Sequence, residues 1–346
     1  DSTGECSPQD ALYPELVQVI AILNLLLDGW CEPPIVGQLH LSTLIQQLLS
    51  LIVQYGGIRA ESAWHILCRT GPFTAVNPTM FAQLLRCLGQ HDLIQQSGDG
   101  SLLLAPAGDR LVGHYSFYSA FATAQEYRIL HQGQAIGNLP TQMPLVPGMQ
   151  IIFGGQCWRL LSVDTTQRVV EVGPAATGTL PQFSGSIGQV HDRVRQTMRH
   201  LYTKKDIPAY LDSAARECLS EARRHFAELG LDRTALLEQG DRTLLFCWQG
   251  DRVLNTLLVQ LLAKNLKVSR DAVAIAVERV SPQKLMEHLG ELVEEGPADA
   301  VALAATVANK RIEKHDQFLS DELMCMNYAA SCLDPQNAWK TLKNIA

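Results

Sequence analysis

Between Leu41 and Leu104, three amphipathic runs precede two short apolar segments that flank Gly98-Asp99-Gly100. Apolar residues at Leu41, Leu44, Ile45, Leu48, Leu49 and Ile52 recur at helical spacing and predict a helix over 41–55, stopped by Gly56-Gly57. Residues 60–69 read as a second helix. Residues 78–89 read as a third, with Asn77 as N-cap and Pro78 at the first helical position. Segments 93–97 and 101–105 form the arms of a hairpin. Three helices and then a hairpin is the plan of a winged helix, assigned here to 41–122. The third helix then stands in the place of a recognition helix. Its core face is Phe81, Leu84, Leu85 and Leu88, and its outer face is Thr79, Gln83 and Arg86. Such a module reads or clamps a partner and holds no chemistry of its own.

A chain of 346 residues is too long for one ordinary core. Its 47% hydrophobic and 18% charged content places it among globular proteins, away from disorder. The net charge of −7 excludes a generally basic nucleic-acid coat, so any contact with phosphate is a local patch. Residues 1–58 hold no Lys or Arg, against Asp1, Glu5, Asp10, Glu15, Asp28 and Glu32. Phosphate repels such a segment, which is expected to face protein or solvent. Within it, residues 16–29 read as a helix apolar on most faces, and so as a strut buried between neighbours in a linker segment, 1–40. Glu32-Pro33-Pro34 ends it.

The nine cysteines form no CxxC pair, which predicts free thiols, a cytoplasmic location and no metal site. The sequence opens without a basic signal region, and its longest apolar stretch is too short to span a bilayer, so no membrane is expected. It does not begin with Met, and we expect a piece of a longer protein.

Beyond the hairpin, residues 114–121 (HYSFYSAF) are the richest aromatic cluster. They read as a connecting strand or, alternatively, as a platform on which bases stack. Five short strands, over 126–131, 134–138, 149–153, 157–163 and 168–172, predict a small β-barrel in a domain spanning 123–186. Amphipathic helices follow over 189–202 and 208–229, with basic and acidic residues interleaved. Strands over 243–248 and 272–277 flank Gly250-Asp251-Arg252 and a helix over 253–265. Further helices are expected over 282–294, 298–314, 321–331 and 336–344. The fold class is therefore α+β and multidomain: a winged helix, a small β-barrel, then a helical and α/β C-terminal domain over 187–346.

No phosphate-cradling GxxxxGK[ST], HExxH or GxSxG pattern occurs, so no catalytic residue, metal ligand or cofactor site is assigned. His315-Asp316 has the makings of an acid/base pair but no nucleophile beside it. Gly250-Asp251-Arg252 has two readings. It is an anion site of backbone amides with a guanidinium fork, or a tight turn whose Arg252 bonds Asp251 or a C-terminal carboxylate. By chemistry alone, Arg59, Arg69, Arg86 and Arg110 are placed to neutralise phosphates around the winged helix, and Arg252, Arg311 and Lys314 in the last domain. Trp64 and the neighbourhood of Trp30 offer stacking surfaces, with burial as the competing reading.

Six stretches taken in order, LLLDGWCEPP (25–34), LSTLIQQLLSL (41–51), GHYSFYSAF (113–121), IFGGQCWRLLSV (152–163), GDRVLNTLLVQLL (250–262) and HDQFLSDEL (315–323), resemble the C-terminal half of a superfamily-2 helicase of the large helicase-related (Lhr) type. The resemblance implies domains that form a path for one strand of DNA, or of an RNA–DNA hybrid. It also implies ATP, Mg and 3′-to-5′ translocation, supplied by two RecA-like motor domains that this sequence lacks. Those motors would then lie elsewhere in the same polypeptide or in another. The acidic first 58 residues favour an alternative, a non-enzymatic adaptor whose winged helix binds protein. A sequence-reading regulator is the weakest reading, because Arg86 alone on the third helix is a strong base-reading side chain.

Overall fold

The apolar rows between Leu41 and Leu88 close onto one another because each helix turns its 3.6-period stripe inward. In the computed structural model, residues 10–35, 37–119, 126–140, 150–153, 156–164, 167–174, 189–271, 273–307 and 310–345 are described. Helix α1 (Pro14–Leu27) comes first, then α2 (Leu41–Tyr55), strand β1 (Ile58–Arg59) and α3 (Ala60–Trp64). One wide π turn, His65–Arg69, extends α3, so the neighbouring Leu67 and Cys68 both point inward. Helix α4 (Pro78–Gln90) starts at Asn77, whose Oδ1 accepts from the Met80 N–H at 2.9 Å. Strands β2 (Ile94–Gln96) and β3 (Ser101–Leu104) form the hairpin, and β1 adds to β3 in an antiparallel sheet of order β1-β3-β2. Helix α5 (Pro106–Gly113) follows. The expected connecting strand at 114–119 is instead a 3₁₀ turn, Tyr115–Tyr118; residues 120 and 121 lie outside the described ones.

Residues Phe121–Gly188 form a compact unit separate from the rest of the chain. Strands β4 (Glu126–His131), β5 (Gln134–Pro140), β6 (Gln150–Phe153), β7 (Gln156–Asp164) and β8 (Val169–Pro174) lie in the order β5-β4-β8-β7-β6. The expected barrel is not present among the described residues: β5 and β6 remain the two edges of an open sheet. Closure needs a fifth pairing between those edges, with tilt and register to match. The core here is small, Ile129, Trp158, Val170 and Val172. Residues 175–188, at the end of the expected 123–186 domain, lie outside the described ones.

The other unit joins Asp1–Ala120 to Gln189–Ala346. Its later elements are α6 (Asp192–Thr203), α7 (Ser213–Glu228), β9 (Leu236–Gln239), β10 (Arg242–Leu245), α8 (Asp251–Ala263), β11 (Val268–Asp271), β12 (Ala274–Glu278), α9 (Pro282–Glu295), α10 (Ala300–Thr306), α11 (Asp321–Cys332) and α12 (Pro335–Ile345). The sheet is antiparallel in the order β11-β12-β10-β9 and carries helices on both faces. Strand periodicity sorts its side chains. Leu244, Phe246 and Trp248, with Ala274 and Ala276, face α1, α6 and α7; Leu245, Cys247, Ile275 and Val277 face α8, α9 and α12.

Helix α11 belongs to a different core. Leu319, Leu323 and Met324 share it with α2, α3 and α4, so the two ends of this unit are packed as one. The helix expected over 298–314 stops at Thr306, where Val307 turns to an extended backbone; further on, the Asp316 carboxylate accepts from the Ile312 and Glu313 N–H groups at 2.9 and 2.7 Å. Helix α1 also departs from expectation. It buries Val17, Ile20, Ala21 and Leu25 on one side only and is not sandwiched. Among the described residues, no helix is long and apolar enough to cross a membrane.

Gly250 shows how tightly the layers meet. A Cβ there would lie 2.5 Å from the Val190 carbonyl and 2.7 Å from the Asp192 nitrogen. Gly250→Ala is expected to lower stability by ~1–3 kcal/mol, read as a drop in melting temperature; an unchanged melting temperature would contradict this packing.

Candidate nucleic-acid interface

The 3₁₀ turn after α5 is held from four directions. Phe117 points inward and is buried in the core of α2–α4. The Phe117 carbonyl accepts from Gln46 Nε2 at 2.7 Å, a buried bond. Lys314 Nζ donates to the Ser116 carbonyl and, at 2.7 Å, to that of Ser119. His114 Nδ1 accepts the Ser116 N–H and hydroxyl, capping the turn. With Phe117 taken inward, the residues on either side turn outward: Tyr115 is 82% and Tyr118 86% exposed. Two large amphipathic rings held side by side in solvent offer apolar faces for contact with a partner. Arg110, on the helix that leads into the turn, is exposed and makes no ion pair among the described residues.

Lys314 is itself positioned by a buried polar knot. Ser42 Oγ accepts from the His315 N–H at 2.9 Å, and Asn327 Oδ1 accepts from the Leu41 N–H at 3.1 Å. Asn327 Nδ2 donates to Asp316 Oδ1 at 3.5 Å. His315, Asp316, Asn327 and Ser42 are essentially inaccessible to solvent. This disposes of His315-Asp316 as a catalytic pair: no substrate reaches them. Burial, with Lys314 beside it, pushes the imidazole down to about 4, while burial raises the carboxyls of Glu313 and Asp316.

The structure separates the residues expected to touch phosphate. Arg69 and Arg86 are exposed and make no hydrogen bond or ion pair among the described residues; Arg311 is also exposed. Arg59 is exposed but reaches the Asp99 carbonyl at 3.5 Å. Asp99 is itself a fixed anion at the hairpin tip, held down at about 2 by hydrogen bonds from Ser97 and Ser101, and it repels phosphate there. Trp64 is half-buried, packs on the core and donates its indole N–H to the Val76 carbonyl at 3.3 Å.

Arg252 does not meet a phosphate either. Its guanidinium donates to the Ala330 and Leu333 carbonyls at 3.1 and 2.7 Å, capping the C-terminal end of α11. The amides of the Gly250 turn are likewise taken. Gly250 N–H donates to the Asp192 carboxylate at 2.6 Å, and Asp251 N–H to the Val190 carbonyl at 3.0 Å. The turn's amides are thus engaged internally, but Arg252 bonds main-chain carbonyls and not the expected Asp251 or C-terminal carboxylate.

On α4 the outward row is broken in its middle. Gln83 Nε2 donates to Glu322 Oε2 at 2.6 Å, which sets the acidic start of α11 beside the face expected to read bases. A groove of about 490 Å³ opens at the end of the four-stranded sheet, with Arg199 and Arg233 in its lining and no carboxylate. In the sequence Arg199 belongs to a basic helix face read as solvated more than as a phosphate track, and nothing there joins it to Arg233, which is distant in the chain. No protein-family model, curated protein or solved structure matches the chain.

Because His315 is uncharged in the folded protein, the unfolded chain takes up a proton that the folded one refuses between about pH 6.5 and about pH 4. His315 thus withdraws stability as the pH falls through that window, whereas acid neutralises Glu313 and Asp316 in the fold's favour. The carboxyls are common to parent and His315→Phe, so they cancel in a comparison. The variant is expected to gain on the parent in melting temperature from pH 7 to pH 4.5; a constant difference would contradict a buried neutral imidazole.

Proposed function

We propose that this chain is the strand-guiding, nucleic-acid-binding accessory half of an ATP-dependent DNA helicase, whose RecA-like motors bind ATP and Mg elsewhere. In this reading, residues 41–118 are a winged helix used as a wall of a strand path rather than as a sequence reader. The observation that carries it is the pair of solvent-facing tyrosines on a turn pinned by Lys314, Gln46 and Phe117. Each ring offers a face to any base, which is the chemistry of sequence-tolerant single-strand binding. Arg110, Arg311, Arg69 and Arg86 supply charge for the backbone. The acidic start of α11 beside α4 disfavours insertion of that helix into a major groove, consistent with a role other than base reading.

The test uses a dye-labelled single strand and fluorescence anisotropy at low salt. Tyr115→Ala and Tyr118→Ala are each expected to weaken binding by roughly 5- to 150-fold, the equivalent of about 1–3 kcal/mol per lost base stack. Affinity should fall steeply as salt rises. Unchanged affinity in the double variant would overturn the platform. No binding by the parent at low salt would overturn the nucleic-acid reading as a whole. The specific support for the alternative, a protein-binding adaptor, is the apolar outer face of α1.

A further inference from the structure

Helix α1 covers the four-stranded sheet's helical layer with one side and leaves the other apolar and open. Val17, Ile20, Ala21 and Leu25 pack into the core with α6 and α7. On the opposite side Val19, Ile22, Leu23, Leu26 and Leu27 face solvent, with Leu26 60% and Leu27 71% exposed. Their spacing is that of a single helical seam. Tyr210 borders it, its hydroxyl donating to Asn24 Oδ1 at 2.8 Å and lying 3.3 Å from the Ile20 carbonyl, which fixes one edge of the strip. Contiguous apolar patches of about 300–600 Å² are the largest that monomers ordinarily carry, and they mark sites of association.

The charge around the strip selects its occupant. Glu15 lies at one end of α1 and Asp28 at the other, with Glu32 four residues further on in sequence; of the cations on the neighbouring α6 and α7, Arg195 donates to Gln18 Oε1 at 2.9 Å, and Arg216 donates to the Leu211 and Ala209 carbonyls beside Tyr210. Arg193, beyond the end of the helix, is engaged by the Trp30 ring at 5.2 Å. An anionic membrane surface would be repelled, since helices that lie in bilayer interfaces carry Lys and Arg on their polar face. A second copy would set acid against acid, because Glu15 meets Glu15 in a parallel pairing and Asp28 or Glu32 in an antiparallel one. We propose that the outer face of α1 docks a partner protein through an apolar, helix-sized strip edged by Lys and Arg. The inference extends the proposed function only in that a motor is one such partner; it needs no nucleic acid, so the two can fail separately.

Two dye-labelled helical peptides with the same Leu spacing, one carrying Lys at its polar positions and the other Glu, are titrated with the full chain. The Leu/Lys peptide is expected to bind in the micromolar range and the Leu/Glu peptide at least tenfold more weakly. Leu23→Glu/Leu27→Glu should abolish binding although it adds negative charge, which non-specific attraction would reward. Leu26→Gln, which adds no charge, should weaken it at an unchanged melting temperature. Tyr115→Ala/Tyr118→Ala should leave it intact.

Equal binding of the two peptides, or of the parent and Leu23→Glu/Leu27→Glu, would overturn the inference. So would a concentration-dependent dimer that this variant dissolves, which assigns the strip to a second copy. Flotation of the parent with anionic vesicles would assign it to lipid and overturn it as well.

Discussion

The knot of Ser42, His315, Asp316 and Asn327 is the constraint on which the larger unit depends. It ties the start of α2 to residues more than 270 positions later in the chain, through bonds from Asn327 to Leu41 and from His315 to Ser42. The left-handed His40 precedes α2 without a side-chain cap of its own, so the cap arrives from α11. His315 enters the knot through its backbone N–H, while its ring Nε2 is buried without a hydrogen-bond partner among the described residues; for the partnered groups, removing one partner leaves the other to bear the full cost of desolvation. The knot therefore specifies one way of packing α11 on α2 and α4, where a purely apolar contact would tolerate sliding.

That specificity is what places the aromatic turn. With the 312–316 turn fixed by Asp316, Lys314 has one direction in which to extend, and its ammonium closes on the carbonyls of the turn after α5. Gln46, from the middle of α2, closes on the same turn from inside. Two tyrosines on a frame fixed in advance lose little freedom when a base stacks on them, which is the condition for useful affinity from few contacts. Arg252 plays the same part at the other end of α11: a cation that looked available for phosphate in the sequence holds two helices together.

Local periodicity made much of this legible. The stripes of α2 and α4, the Asn77-Pro78 start and the hairpin about Gly98–Gly100 are written in neighbouring residues, and so are five of the strands between 126 and 174. What was not legible depends on distant partners. Nothing near Lys314 or Arg252 announces that a carbonyl from another element will claim it. The last part of the helix expected over 298–314 gives way to a turn in which the Asp316 carboxylate, two residues beyond the expected end, accepts from the Ile312 and Glu313 N–H groups. The barrel fails because whether two edge strands meet is a matter of register and tilt, which local alternation does not encode. The spacing of the aromatic cluster at 114–121 fits a strand or a stacking platform, and only burial of Phe117 reveals that Tyr115 and Tyr118 face outward.

The central claim, that Tyr115 and Tyr118 hold a single strand, is tested most directly by photocrosslinking. A single strand carrying 5-iododeoxyuridine at successive positions is irradiated on the intact chain at low salt, and the adducts are mapped by mass spectrometry. The expected result is base adducts on Tyr115 or Tyr118, lost in competition with unlabelled single strand. Adducts confined to the outer row of α4, about Thr79 and Arg86, with none on the turn, would contradict it.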